Sequence, residues 1–335
     1  MIRRKTLLGL ALALASGAAL AQAPTQPQAQ AQADTFPRKP VTLVVPFAAG
    51  GPTDVVARTM ATLMGNHLGQ SVVVENKLGA GGTVAAAHVA RSAPDGYTIL
   101  IHHNGMATAP ALYRKLQATP LNDFEYISQA IDVPMTLLGR KDLPASNLRE
   151  LVPYLRANAS KINMAHAGLG AVSHLCSLMF RQAIGLDLQT VPYQGTAPAM
   201  NALLAGQVDL LCDQTTSTTP QIKAGTVRNF GLTSTARLGS MPDAPTLDEQ
   251  GLKGFQVVVW HGVYAPKGTP QPVIARLNGA VRAALKDPQF QARMKDLGAE
   301  VVPEAKQTPE GLRTWLVAET DRWGPVIRAA GVYAD

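Results

Sequence analysis

Residues 41–54 read VTLVVPFAAGGPTD. A β-branched, apolar run ends at Pro46, small residues with Gly50 and Gly51 follow, and Pro52-Thr53-Asp54 opens an amphipathic run, so the stretch predicts strand, tight turn and helix start. The two glycines allow positive φ and close approach of a ligand, and the first helical N–H groups lack intrahelical partners. Such a turn suits an anion. It also suits a turn that caps itself through Thr53 or Asp54. The segment alone leaves both open.

Outward from this turn, strand-like and helix-like runs alternate. Ser71–Glu75 and Tyr97–His102 read as strands flanking an Ala-rich helix over Gly82–Arg91, and an apolar strand over Ile131–Arg140 leads to a helix that Ser146 can cap. A second unit then repeats the theme. Strands at Ile162–Ala167, Leu188–Tyr193, Val208–Asp213 and Val227–Ser234 alternate with helices over His174–Ile184 and Thr196–Ala205, and the polar Gln214–Thr219 reads as a surface loop. Gln256–Ala265 returns as a strand, followed by helices beginning near Thr269, Asp287 and Thr308. The pattern predicts an α/β protein of two doubly wound, mostly parallel sheets. The first domain is expected to be discontinuous, 35–135 with 243–335, and the second to span 136–242.

The totals agree with a folded chain. Of 335 residues 46% are hydrophobic and 16% charged, with mean hydropathy +0.04, which excludes a disordered chain. Residues 1–23 read as an export signal: Arg3, Arg4 and Lys5 precede an apolar run, and Ala19-Leu20-Ala21 and Ala21-Gln22-Ala23 offer cleavage sites. The apolar run is short for a membrane anchor, and the low-complexity composition of residues 24–34 reads as a disordered leader. The formal charge of +7 falls to +4 once the three basic residues of the signal are removed. The aromatic residues lie outside any Lys/Arg stripe, so a nucleic-acid groove has no support.

Three strand-to-helix turns share one character: Phe47–Asp54, Gly168–Ser173 and Gln194–Thr196. In open α/β sheets such turns lie at the carboxyl ends of strands, the usual ligand edge. One belongs to the first unit and two to the second, so helix N-termini with the hydroxyls of Thr53, Ser173 and Thr196 describe a cleft for a small carboxylate. Asn104, after the Tyr97–His102 strand, is expected on the same edge as an amide donor. Other chemistry is poorly supported. Ser173-His174 is a remote hydrolase reading, because sequence neighbours are badly placed for a nucleophile–base bond and GLGAVS is not a G-x-S-x-G elbow. The histidines form no H-x-x-x-H pair for a metal, and Gly79–Gly82 lacks the Lys of a phosphate loop. His102-His103 reads as a strand end with one ring packed and one solvated. Cys176 and Cys212 are open to two readings, a disulfide in an oxidising compartment or two buried thiols.

The order of blocks along the chain resembles the substrate-binding proteins of tripartite tricarboxylate transporters, the Bug family of periplasmic receptors. The blocks are PVTLVVPFAAGGPTDVVAR, VVVENKLGAGG, PDGYTIL, GLGAVSHL, VPYQGTAPAMNALLAGQVD, PQIKAGTVR, MPDAPTLDEQGL, and W-x-G-x-x-AP-x-GTP from Trp260 to Pro270. The resemblance implies a two-domain, Venus-flytrap fold of the type II periplasmic binding proteins, with a carboxylated solute held between the domains and neither enzymatic activity nor a cofactor. Carried over block by block, it points to Phe47, Ala48, Gly51, Thr53 and Asp54 in the first domain and to Gly168, Ser173, Tyr193, Gly195 and Asp213 in the second. Ala171 and Val172 make the GxGxxS-type loop more apolar than is usual in the family. The implied ligand is a dicarboxylate, an aromatic acid or an acidic amino acid. Asp54 and Asp213 would oppose a bare dicarboxylate, so at least one is expected to cap backbone N–H groups or orient water, Asp54 being the better candidate. The implied partner is a membrane permease or, alternatively, a sensor protein, with the receptor itself a monomer.

Overall fold

The structure, a computed structural model, describes residues 36–329 together with 331, 333 and 334; the expected signal (1–23) and leader (24–34) lie outside them. Among the described residues no helix is long and apolar enough to cross a membrane.

Two sheets share one strand. In the first, β1 (Val41–Val45) lies between β2 (Val72–Asn76) and β3 (Thr98–His102), all parallel, with Leu43 paired to Val74 on one side and to Ile99 on the other. β3 then pairs antiparallel with β9 (Val258–Pro266), which pairs antiparallel with β4 (Phe124–Arg140). The 17 residues of β4 run out of the first sheet and into the second. There they pair with β7 (Leu210–Gln214), beyond which β5 (Asn163–His166) and β6 (Gln189–Pro192) lie parallel to β7. β8 (Val227–Leu232) also pairs with β4 in the second sheet, and the short β10 (Glu300–Val301) pairs with it in the first. Sequence analysis located only the second half of β4, because Ser128, Gln129 and Asp132 interrupt its apolar pattern. Ser128 and Gln129 are nevertheless fully buried, and Gln129 Nε2 donates to Asp132 Oδ1 at 2.9 Å.

The helices cover both sheets. α1 (Pro52–Leu68) follows β1 and turns Val56, Met60 and Met64 into the core, the i, i+4 spacing of one helical face. α2 (Thr83–Ala90) follows the glycine turn, and α3 (Gly105–Leu112), which contains Gly105 and Pro110 and so carries no clear helical signal in sequence, follows β3. α4 (Leu148–Asn158) is capped by Asn147, not by Ser146 as expected: Asn147 Oδ1 accepts from Glu150 N, and Glu150 returns a bond to Ser146 N. α5 (Val172–Ile184) and α6 (Thr196–Leu204) follow β5 and β6.

Residues 215–223 correct the sequence reading. The expected surface loop is helix α7 (Thr215–Lys223), with Thr215, Thr216, Thr218 and Thr219 all buried. Three of the four hydroxyls bond outside the helix: Thr215 donates to Gly298 O at 3.0 Å, Thr219 to Leu297 O at 3.1 Å, and Thr218 pairs with Thr136 at 2.9 Å, while Thr216 Oγ1 is buried with no hydrogen-bond partner among the described residues. A buried hydroxyl with a partner costs little, so polarity did not mean exposure. α8 (Gln271–Lys286), α9 (Pro288–Asp296) and α10 (Pro309–Ala329) complete the chain over the first sheet.

Candidate functional site

The carboxyl ends of β1 and β3 in the first sheet face those of β5, β6 and β7 in the second, and the turns that follow meet. Their closest approach is at backbone level. Ala48 N donates to Gln194 O at 3.2 Å, and a Cβ placed on Gly195, whose φ is +131°, would stand 2.9 Å from Ala48 N. Gly51 is similarly tight: a Cβ there would meet Ala48 O at 3.2 Å and the Ala197 Cβ at 3.8 Å. Of the two glycines of the first turn only Gly50 has positive φ, +79°. Gly51 is extended, with φ −78°, so it is needed for space and not for conformation.

Behind this contact lies a small inner chamber. Phe47, Pro52 and Thr53 line it from the first sheet, Ser173, Thr196 and Asp213 from the second. Its free volume is about 10 Å³, room for the centre of about one water. An outer chamber of about 450 Å³ opens beyond it, with Phe47 and Ala167 on the wall common to both and with Gly168, Tyr193 and Tyr113 around the mouth. Tyr113 Oη donates across it to Leu169 O at 3.0 Å, and Thr108 Oγ1 donates to Gly170 O at 3.2 Å.

Four helices begin at the inner chamber. α1 contributes Pro52 and Thr53, α5 Val172 and Ser173, α6 Thr196, and α7 starts from Gln214. None of the four has a side-chain cap. Asn147 and Asp287 cap α4 and α9, whereas α2, α3 and α8 also lack a side-chain cap, so it is their meeting at one chamber that distinguishes these four. Uncapped first-turn N–H groups and the positive ends of the helix dipoles therefore converge on one point from both sheets. Hydroxyls add to them. Ser173 Oγ accepts from Ala167 N at 2.8 Å, which leaves its own proton for another acceptor. Thr53 Oγ1 lies 3.2 Å from His261 Nε2.

Asp213 is the acidic member of the chamber. Burial pushes its carboxyl up to about 6, against hydrogen bonds from Ser217, Gln214 N and Thr196 that favour ionisation. Ser217 Oγ donates to Oδ2 at 2.5 Å and Gln214 N to Oδ1 at 2.8 Å. Cys212, its neighbour on β7, is joined by a disulfide to Cys176, one turn into α5. That bridge settles the two readings of the cysteines and ties the strand carrying Asp213 to the helix carrying Ser173.

Two expected residues are elsewhere. Asp54 accepts from Gly50 N at 2.9 Å, Arg58 Nε at 2.8 Å and Asn76 Nδ2 at 2.8 Å. Burial resists its ionisation, but these three bonds outweigh it and hold the carboxyl below its usual range. It braces the turn, as its capping role anticipates, and does not line either chamber. Asn104 spends its amide on β9: Nδ2 donates to Val258 O and Oδ1 accepts from Trp260 N, both at 3.0 Å. It extends the β3–β9 ladder as a side chain, which uses its carbonyl oxygen and one of its two amide N–H groups.

The histidine pair is also corrected. His102 and His103 are both buried, with neither ring solvated. Burial lowers His102 to about 4 and His261 to about 3, and holds His103 well below its ordinary value. His103 lines the inner chamber beside Met135 and Gln214, three residues that sequence analysis did not nominate; an unusual polar pair at a strand end was the available signal. At the remote hydrolase position, Ser173 Oγ is engaged by Ala167 N, and His174 Nδ1 accepts from Gly170 N at 3.4 Å.

The family model described as the tripartite tricarboxylate transporter family receptor matches residues 56–332. The chain belongs to that family. A relative of this receptor family member, the UPF0065 protein in the TAR-I ttuE-ttuC' intergenic region of Agrobacterium vitis, is 46% identical over 89% of this chain and 86% of its own length. Among solved structures, the periplasmic binding protein BugD superposes with a TM-score of 0.87 at 52% identity, covering 89% of this chain and 99% of BugD. MatC from Rhodopseudomonas palustris, solved with bound malate, superposes with a TM-score of 0.84 at 43% identity, covering 87% of this chain and 100% of MatC. The Bug-family resemblance read from sequence and the periplasmic-binding-protein fold are thereby established.

Proposed function

We propose that the chain is a periplasmic receptor whose two lobes, 35–135 with 243–335 and 136–242, close on a small carboxylated solute and deliver it to the membrane subunits of a tripartite tricarboxylate-type transporter. The convergence of four uncapped helix N-termini on one chamber carries this reading. Their N–H groups and the hydroxyls of Thr53 and Ser173 offer donors to a carboxylate from both lobes, the Thr196 hydroxyl being bonded to Asp213, and no Lys or Arg lines the chamber to do so instead. A short carboxylic acid is favoured, in keeping with the malate bound by MatC.

The inner chamber is too small to admit such a molecule without parting of the lobes. β4 and the residues leading into β9 join the lobes and are the natural hinge. A ligand that bridges both lobes binds the closed state more tightly and so shifts the equilibrium towards it. A thermal-shift panel of short carboxylic acids with their amides and esters tests the reading. Saturation at about 100 times Kd should add roughly 2.7 kcal/mol, a shift of a few degrees. Shifts from acids alone support it, and equal shifts from the neutral controls sink it. Delivery is tested separately, by uptake of the bound acid in cells lacking the transporter's membrane subunits; undiminished uptake would remove that partner.

A further inference from the structure

We propose that His103 is a ligand-binding residue that donates its Nε2–H, as a neutral imidazole, to an oxygen of the bound acid. The proposal rests on the carboxylate-receptor reading above and assigns one of its contacts to a side chain of the first sheet.

The ring's tautomer follows from its neighbours. Gly105 N donates to His103 Nδ1 at 3.0 Å. A backbone N–H can only donate, so Nδ1 carries the lone pair, and the proton of a neutral imidazole must sit on Nε2. The ring is neutral because it is 3% exposed and packed among other buried rings, so burial disfavours an imidazolium. Its orientation is fixed as well. It stacks on Phe47 with centroids 4.7 Å apart and planes 21° from parallel, and meets His102 and His261 edge-on at 5.0 and 6.2 Å.

With Nδ1 turned to the main chain of its own turn, the far edge of the ring, which carries Nε2, is the part available to the inner chamber that His103 lines. The wall of that chamber contributes hydroxyls, backbone amides and the Asp213 carboxyl, with no cationic side chain. A rigid neutral N–H there adds a donor that needs no counter-charge and loses little entropy on binding. An imidazolium would instead attract Asp213 across the chamber.

The test combines NMR with two variants, using malate, succinate and adipate as probes. In protein labelled with ¹⁵N-histidine at pH 7, His103 should show the Nε2–H tautomer, and its Hε2 resonance should move downfield when a binding acid is added. His103→Phe keeps the stack on Phe47 without the donor and should weaken binding at least tenfold. His103→Gln restores an N–H and should recover most of the loss. If an acid binds with the His103 ring signals unmoved, or binds His103→Phe and the unaltered protein equally, the proposal is overturned while the receptor reading stands. If none of a wider set of acids binds the unaltered protein, both fall together.

Discussion

Gly195 and Ala48 meet across the two sheets so closely that a Cβ on Gly195 would stand 2.9 Å from the Ala48 backbone nitrogen and 3.2 Å from its Cβ. That contact depends on a missing side chain. Gly195→Ala adds that Cβ at a φ of +131°, which L-residues rarely adopt. We predict at least a tenfold loss of acid affinity in calorimetry, together with a more open particle by small-angle scattering. Unchanged affinity would show that the two turns do not need to touch.

Asp213 should make binding sensitive to pH. Its folded carboxyl titrates near 6, above the unfolded value of 3.8, so the native state binds the extra proton between those values. The stabilising contribution is fully present below about 3.8 and is lost as pH rises through 6. Asp213→Asn removes the cost of the buried charge and should stabilise the ligand-free protein at pH 7.5 by about 1–3 kcal/mol, an upper range because the Ser217 and Gln214 bonds change too. Acid affinity of the unaltered protein should rise from pH 7.5 to 5.5 as repulsion is neutralised. The variant should be flatter over the same range, and parallel profiles would rule Asp213 out as the source.

The buried histidines act with the opposite sign. His102 and His261 have folded values of about 4 and about 3 against 6.5 when unfolded, so below 6.5 the unfolded chain takes up protons that the native state refuses. Their stabilising contribution is present above 6.5 and lost as pH falls, on the order of 3 kcal/mol for His102 alone once pH is below 4. With His103 also depressed, three histidines outweigh Asp213. Urea midpoints should fall between pH 7 and pH 5, more steeply in Asp213→Asn. A midpoint that rises on acidification would contradict this balance.

The Cys176–Cys212 bridge closes a loop of 36 residues. By chain entropy such a loop corresponds to about 4 kcal/mol, and measured values commonly fall below the estimate. Replacing both cysteines with serine should lower unfolding stability by about 2–4 kcal/mol and, because the bridge ties α5 to β7 beneath the chamber, weaken acid binding as well. Denaturant unfolding and calorimetry on the same variant separate the two effects.

Much of this organisation was legible in the chain because strand, small-residue turn and helix follow one another at Val41–Asp54 and again before α5 and α6, where periodicity and glycine carry clear physical meaning. The turns that meet were therefore visible, as were Thr53, Ser173 and Thr196, while Asp213 came only from the family resemblance. What sequence could not show was which polar groups find partners in three dimensions. Asn104 looks like a free amide until β9 arrives from 154 and 156 residues away to take both ends of it. Thr215 and Thr219 of α7 look solvated until Gly298 O and Leu297 O satisfy them. His103 looks like a strand end until Gly105 N fixes its tautomer and Phe47 its plane.

The most direct test of the central claim is the backbone amide response to a binding acid, measured by ¹H–¹⁵N NMR. The account predicts that the first-turn amides of α1, α5 and α6, at Thr53, Ser173 and Thr196, move downfield together at one stoichiometric equivalent, because a single carboxylated ligand bridges both lobes. Shifts confined to one lobe, or centred away from these helix N-termini, would contradict it.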